Sequence, residues 1–301
     1  MKRKPLKLLK KFGVFALLLA FMTLSSSVSF AATSPSLGTA NTFGILASTY
    51  TNTDSGPPTT INGDLGYTTG PAVAPTVSGN THVANGTYNQ AGIDQGSALS
   101  ALASQPCTFN FAPGDIDLAT DTTHGTIGVY APGVYCITGA ASVGGGGTIT
   151  LTGGGTYIFR MTGALTTSAN SIVTMAGGAS ACDIWWTPGA ATTLGANSTF
   201  AGTDIDASGI TIGNLVTWTG KALAFGGTVS TTRDTINVPT CASTGPTSSA
   251  PDSGSGSSGT GTPGLPNTGG SALKHALYTT NDTGEDSFIK CLINAKSALA
   301  Q

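Results

Sequence analysis

The chain has 301 residues, of which only 9% are charged, where about a quarter is usual for a soluble domain. Six of its twelve basic residues fall in the first eleven positions and all fourteen acidic residues come later, leaving the remainder at a net −8. That balance excludes nucleic acid and anionic membrane surfaces as partners.

The first segment reads as a leader. Lys2-Arg-Lys-Pro-Leu-Lys is basic, an apolar run spans Phe12 to Leu24, and Ser29-Phe30-Ala31 is a small-x-small cleavage signal. Residues 1–31 are therefore expected to be a secretory signal peptide, removed on export. The apolar run is too short, and wrongly flanked, for a membrane span.

Residues 32–241 read as one domain. Phe43-Gly-Ile-Leu-Ala is a short apolar run, and Thr60-Ile-Asn-Gly-Asp-Leu-Gly66 predicts strand, turn, strand. Tyr88 to Ser104 predicts the one helix, with Ile93, Leu99 and Leu102 beside Ala91, Ala98 and Ala103 on the buried face. Pro106 and Cys107 end it. Cys107 to Cys136 reads as loop-rich, with turn signals at Ala112-Pro-Gly and Ala131-Pro-Gly.

From Gly139 to Val238 the chain repeats. Ala140-Ala-Ser-Val-Gly, Ala164-Leu-Thr-Thr-Ser, Ala191-Thr-Thr-Leu-Gly, Gly209-Ile-Thr-Ile-Gly and Thr228-Val-Ser-Thr-Thr overlay, at offsets of 24, 27, 18 and 19 residues. A second set is Thr148-Ile-Thr-Leu, Ser171-Ile-Val-Thr-Met, Val216-Thr-Trp and Thr235-Ile-Asn-Val. A third is Thr156-Tyr-Ile-Phe, Asp183-Ile-Trp-Trp, Thr203-Asp-Ile-Asp and Ala222-Leu-Ala-Phe. Three short strands per turn predict an all-β, three-sided solenoid with the helix packed alongside, its interior shared between stacked coils. Glycine runs at Gly144–Gly147 and Gly153–Gly155 read as corners.

Alternation along a strand sends positions one, three and five of the first set to the same side. Ser142, Ala164, Thr166, Ser168, Ala191, Thr193, Gly209, Thr211, Thr228, Ser230 and Thr232 then form a flat, uncharged, threonine-bearing wall. Such a wall carries no reaction; it orders water or packs against a regular surface. Thr167, Thr192 and Thr231 fall at inward positions, which a one-residue slip of register would reverse.

Export makes disulfides expected among Cys107, Cys136, Cys182 and Cys241. Four cysteines allow three pairings. Cys107–Cys136 with Cys182–Cys241 is preferred, because each bond clamps a loop or chain end to the body. The fifth cysteine, Cys291, lies in the tail.

Residues 242–264 form a Ser/Gly/Pro linker. Residues 265–301 open with Leu265-Pro266-Asn267-Thr268-Gly269 and continue in mixed, unstructured composition.

Several motifs resemble the microbial ice-binding-protein family, in that family's order. They are the Leu37-Gly-Thr-Ala opening, the Thr60–Gly66 motif, the helix, Pro132-Gly-Val-Tyr135, Gly153-Gly-Gly-Thr-Tyr-Ile-Phe159, Asp183-Ile-Trp-Trp186 and Lys221-Ala-Leu-Ala224. The resemblance implies a discontinuous right-handed β-solenoid of triangular section with a long helix alongside, whose N-terminal strands complete one end. It also implies export and adsorption to ice through one solenoid face. Leu265–Gly269 resembles a sortase cell-wall sorting signal and would make peptidoglycan a partner. The residues after it depart from that pattern, since Lys274, His275, Asp282, Glu285, Asp286 and Lys290 replace an apolar span.

Catalytic readings find little support. Asp204 with Asp206, and Asp115 with Asp117, are i,i+2 carboxylate pairs with a formal capacity for calcium, and are expected to be solvated. His82, His124 and His275 share no metal spacing. Of Trp185 and Trp186, alternation places one in the core and the other under the helix or at a surface. The expectation is a secreted, monomeric, non-enzymatic ice-binding protein without cofactor, metal or small-molecule ligand. The alternative is a cell-surface adhesin or carbohydrate-binding module on the same scaffold.

Overall fold

Runs of two to five alternating residues, each closed by a glycine, asparagine or aspartate corner, dictate short strands. A computed structural model describes residues 31–241 apart from Ser55. Residues 1–30 of the expected leader, the linker, Leu265–Gly269 and Cys291 lie outside the described residues. All twenty strands pair in parallel within one curled sheet, and they stack in three ladders.

The first ladder holds Ile116–Asp117, Ala141–Val143, Leu165–Thr167, Thr192–Leu194 and Ile210–Ile212. It continues through the end of Thr217–Thr231 to the end of Phe43–Asn52. The second runs from Val129–Tyr130 through Thr148–Thr152, Ile172–Ala176 and the starts of Thr199–Ile205 and Thr217–Thr231. It finishes on Thr235–Asn237, Thr60–Asn62 and Thr76–Val77. The third starts at Phe109–Asn110 and passes through Gly133–Ile137, Tyr157–Met161 and Ile184–Thr187. It ends on Phe43–Asn52, Asp64–Tyr67 and Thr81–Val83.

The chain order is therefore not the ladder order. Phe43–Asn52 pairs with Thr217–Thr231, near the far end of the sequence. The segment from Cys107 to Cys136, expected to be loops, supplies the starting strand of every ladder, because its two-residue strands are too short to leave a pattern.

The helix, Gly86–Ala103, is capped by the Asn85 side chain, which accepts from the Tyr88 amide. It covers the outward side of the third ladder. Tyr88, Ala91, Ala98 and Leu102 pack on Leu46, Val134, Ile158, Trp185 and Leu223. The larger core lies inside the curl, around Tyr157, Phe159, Trp186, Phe200 and Trp218. The two adjacent tryptophans are thus divided between the cores, as alternation requires. The expected helix face is corrected at Ile93, which is 63% exposed, and at Ala103, also exposed, while Gly92 and Gln95 are buried. Gly92 is under Phe225, and Gln95 Oε1 accepts from the Phe225 amide.

Both preferred disulfides are present, Cys107–Cys136 and Cys182–Cys241.

Candidate functional site

Three-residue strands leave a single outward position. In the first ladder that position is Ser142, Thr166, Thr193, Thr211 and Ser230, each directly opposite the next. Asp117 extends the rank at one end and Thr51 at the other. The neighbours on either side, such as Leu165 and Thr167, are buried. Thr166, Thr193 and Thr211 are exposed, whereas Ser142 and Ser230 are half-buried. Thr51 donates to Ser230 at 2.8 Å.

The remaining members of the expected wall lie at the corners. Ala191 and Thr228 are exposed, and Ala164, Ser168 and Thr232 are half-buried. Ser168 accepts from the Gly145 amide, and Thr232 shares a hydrogen bond with Thr53. Gly209 is corrected: it is buried, with φ +118°, and its missing Cβ would meet the Thr228 carbonyl. Glycine is required there by backbone geometry and presents nothing to solvent.

The inward threonines fix the register. Thr167 accepts from the Gly195 amide, and Thr231 bonds with the Tyr50 hydroxyl inside the curl. Thr192 is fully buried and its hydroxyl has no partner among the described residues.

Sequence reasoning found most strands of the second ladder as a repeat set but missed that the ladder presents two outward ranks. Thr148, Ile172, Thr199, Thr217, Thr235, Thr60 and Thr76 succeed one another across seven strands. Beside them, Thr150 pairs with Thr174, and Thr219 with Asn237, which pairs in turn with Asn62. Ala201 interrupts this second rank, being buried. None of these outward residues is charged. Among the described residues no partner binds the hydroxyls of Thr148, Thr174, Thr199, Thr217 and Thr235, while Asn62 donates to Asn237 at 2.7 Å. The signal was the alternation of these threonines with Ile149, Val173, Phe200, Trp218 and Ile236, all buried.

Of the two carboxylate pairs expected in solvent, one is not there. Asp204 and Asp206 are buried. Asp206 accepts from the Thr192 and Ser208 amides, and Asp234 accepts from Val216 and Thr232, so both brace corners. Both oxygens of Asp204 lack a partner among the described residues. Burial holds the Asp204 pKa well above the usual carboxylate range, and the Asp206 charge adds to the rise. Burial likewise pushes Asp234 up to about 7. Asp115 is exposed and accepts from the Ala140 amide; Asp117 is half-buried and accepts from Ala119 and Gly144. Among the described residues, no three His, Cys, Asp or Glu side chains converge as a metal site.

Residues 45–237 match the family described as Ice-binding-like. An ice-binding protein from Nostoc sp. (strain HG1) is 30% identical over 256 residues, covering 81% of this chain and 88% of its own. An ice-binding protein from the Antarctic ascomycete Antarctomyces psychrotrophicus superposes with a TM-score of 0.58 at 26% identity, over 69% of this chain and all of its own. The antifreeze ice-binding protein of an Arctic yeast has the same fold, with a TM-score of 0.58 at 21% identity over 69% of this chain and 96% of its own.

Proposed function

The chain belongs to the ice-binding-like family, and from that premise we propose that it adsorbs to ice through the two threonine ranks of its second ladder. The three ladders are read as the three sides of a right-handed coil, one covered by the helix and two open to water. The observation that carries the choice of side is rank number. The first ladder offers one outward side chain per strand, bounded at one end by Asp117. The second offers up to two, uncharged across its length.

Stacked strands repeat at about 4.7–4.9 Å, close to repeats in the ice lattice. Each threonine presents a methyl and a hydroxyl on a side chain with little χ1 freedom. The methyl disfavours liquid-like hydration and the hydroxyl fixes water by hydrogen bonds. Single contacts are weak. An array on hydrogen-bonded strands binds because many act at once, with little ordering entropy left to lose. Adsorption of this kind needs no catalytic group. Export through residues 1–31 and retention at the wall through Leu265–Gly269 complete the reading.

The test compares two paired substitutions. Thr199→Tyr with Thr217→Tyr is expected to abolish most freezing hysteresis and recrystallisation inhibition, with unchanged melting. Thr193→Tyr with Thr211→Tyr is expected to leave most of both. The reverse result would return the ice face to the rank Ser142–Thr166–Thr193–Thr211–Ser230.

A further inference from the structure

A pocket of about 710 Å³ opens beside the third ladder, on the side away from the threonine ranks. Its wall combines the segment around Ser34–Asn41, the turn Ala181–Asp183 and the chain exit at Cys241. Ala222 faces the inner core, so Lys221 projects outward into this wall. Lys221 is only 1% exposed. Among the described residues it has neither a hydrogen-bond acceptor nor an ion-pair partner; the three ion pairs involve His82, His124 and Arg233.

An ammonium buried without a counter-charge is costly. Burial pushes the Lys221 amine down to about 8, which still leaves it charged at neutral pH. Asp183 also lines the pocket, but its carboxylate accepts from the Ser34 hydroxyl at 2.7 Å and forms no ion pair with Lys221. Serine, threonine and asparagine side chains make up much of the remaining polar wall, adding donors without charge.

We propose that this pocket is a carboxylate-binding site in which Lys221 supplies the counter-charge. Lys221 is the one cation in this wall and is unpaired among the described residues, so it can balance a single negative charge, while a phosphate dianion would exceed it and be repelled by Asp183 as well. The carboxylate is that of a small free acid.

The test uses the full chain, with acetate as the probe against chloride at equal ionic strength. Acetate tenfold above its dissociation constant is expected to raise the unfolding midpoint by about 3–6 °C. Lys221→Met is expected to lose that response. In the unsubstituted chain, the Lys221 Nζ resonance is expected to shift with acetate and not with chloride, a readout independent of the variant's folding. Equal effects of acetate and chloride in both chains, or an acetate response that survives Lys221→Met, would overturn the assignment.

Discussion

Arg160 donates a guanidinium N–H to the backbone carbonyl of Ala103, the last residue of the helix. The same side chain reaches the Gln105 carbonyl and the sulfurs of Cys107 and Cys136. A strand of the third ladder therefore terminates the helix that covers it, with a fixed cation at the negative end of the helix dipole. Arg160→Gln is expected to cost about 1–3 kcal/mol, the worth of charge-assisted hydrogen bonds. Hydrogen exchange at the Ala101–Gln105 amides should accelerate, while exchange in the first ladder stays unchanged.

Gly92 is held to its identity by a ring. A Cβ there would lie 2.4 Å from Phe225, whose ring also packs on Tyr88 at 5.0 Å. Alanine normally improves a helix interior by about 1 kcal/mol over glycine. Here Gly92→Leu is expected to destabilise by about 1–3 kcal/mol, as overpacking does, whereas Gly96→Ala, with open space around it, is expected to stabilise. Urea titrations of the two variants would show opposite signs.

Acidic residues inside the curl make stability fall as pH rises. Asp234 titrates near 7 in the folded chain against about 3.9 unfolded. Across that window the native state holds the extra proton, so its advantage is full below pH 4 and disappears through pH 7. Asp204 and Asp206 are raised as well and act with the same sign. Lys221, lowered to about 8, acts oppositely and only above that pH. Asp204→Asn is expected to leave stability at pH 4 little changed and to raise it at pH 8 by about 1 kcal/mol or more. Denaturation midpoints from pH 4 to 8 would check the slope.

The two disulfides close unequal loops. Cys107–Cys136 spans 29 residues and Cys182–Cys241 spans 59. Chain entropy assigns them about 3.6 and 4 kcal/mol. Cys182→Ser with Cys241→Ser is expected to lower the melting temperature by roughly 8–16 °C, and calorimetry on each double variant would rank the bonds.

The single rank was legible because Ser142, Thr166, Thr193, Thr211 and Ser230 each have at least one apolar neighbour that belongs inside, such as Val143, Leu165, Leu194, Ile210 and Val229. The double rank was not, although its alternation is as regular. Ile172 breaks the hydroxyl pattern, and Thr60, Asn62 and Thr76 join only after a connection across the whole domain. Ile93 was misplaced because hydrophobicity ranks it above Gly92 and Gln95, and nothing local reveals that Phe225 needs a groove and an acceptor. Asp204 defeated the rule that carboxylates seek solvent. Its inward position follows only from pairing opposite Trp186, a relation between residues of separate coils.

The pairing of Phe43–Asn52 with Thr217–Thr231 has a consequence for biosynthesis. A chain emerging from the ribosome makes its opening strand, and its neighbour Asp64–Tyr67, long before the strand on its other side exists. One backbone edge of the earliest strand must wait unsatisfied until almost the entire domain has been made. Vectorial, coil-by-coil folding can begin at Phe109 but cannot close, and such delayed, long-range pairing is slow and prone to aggregation.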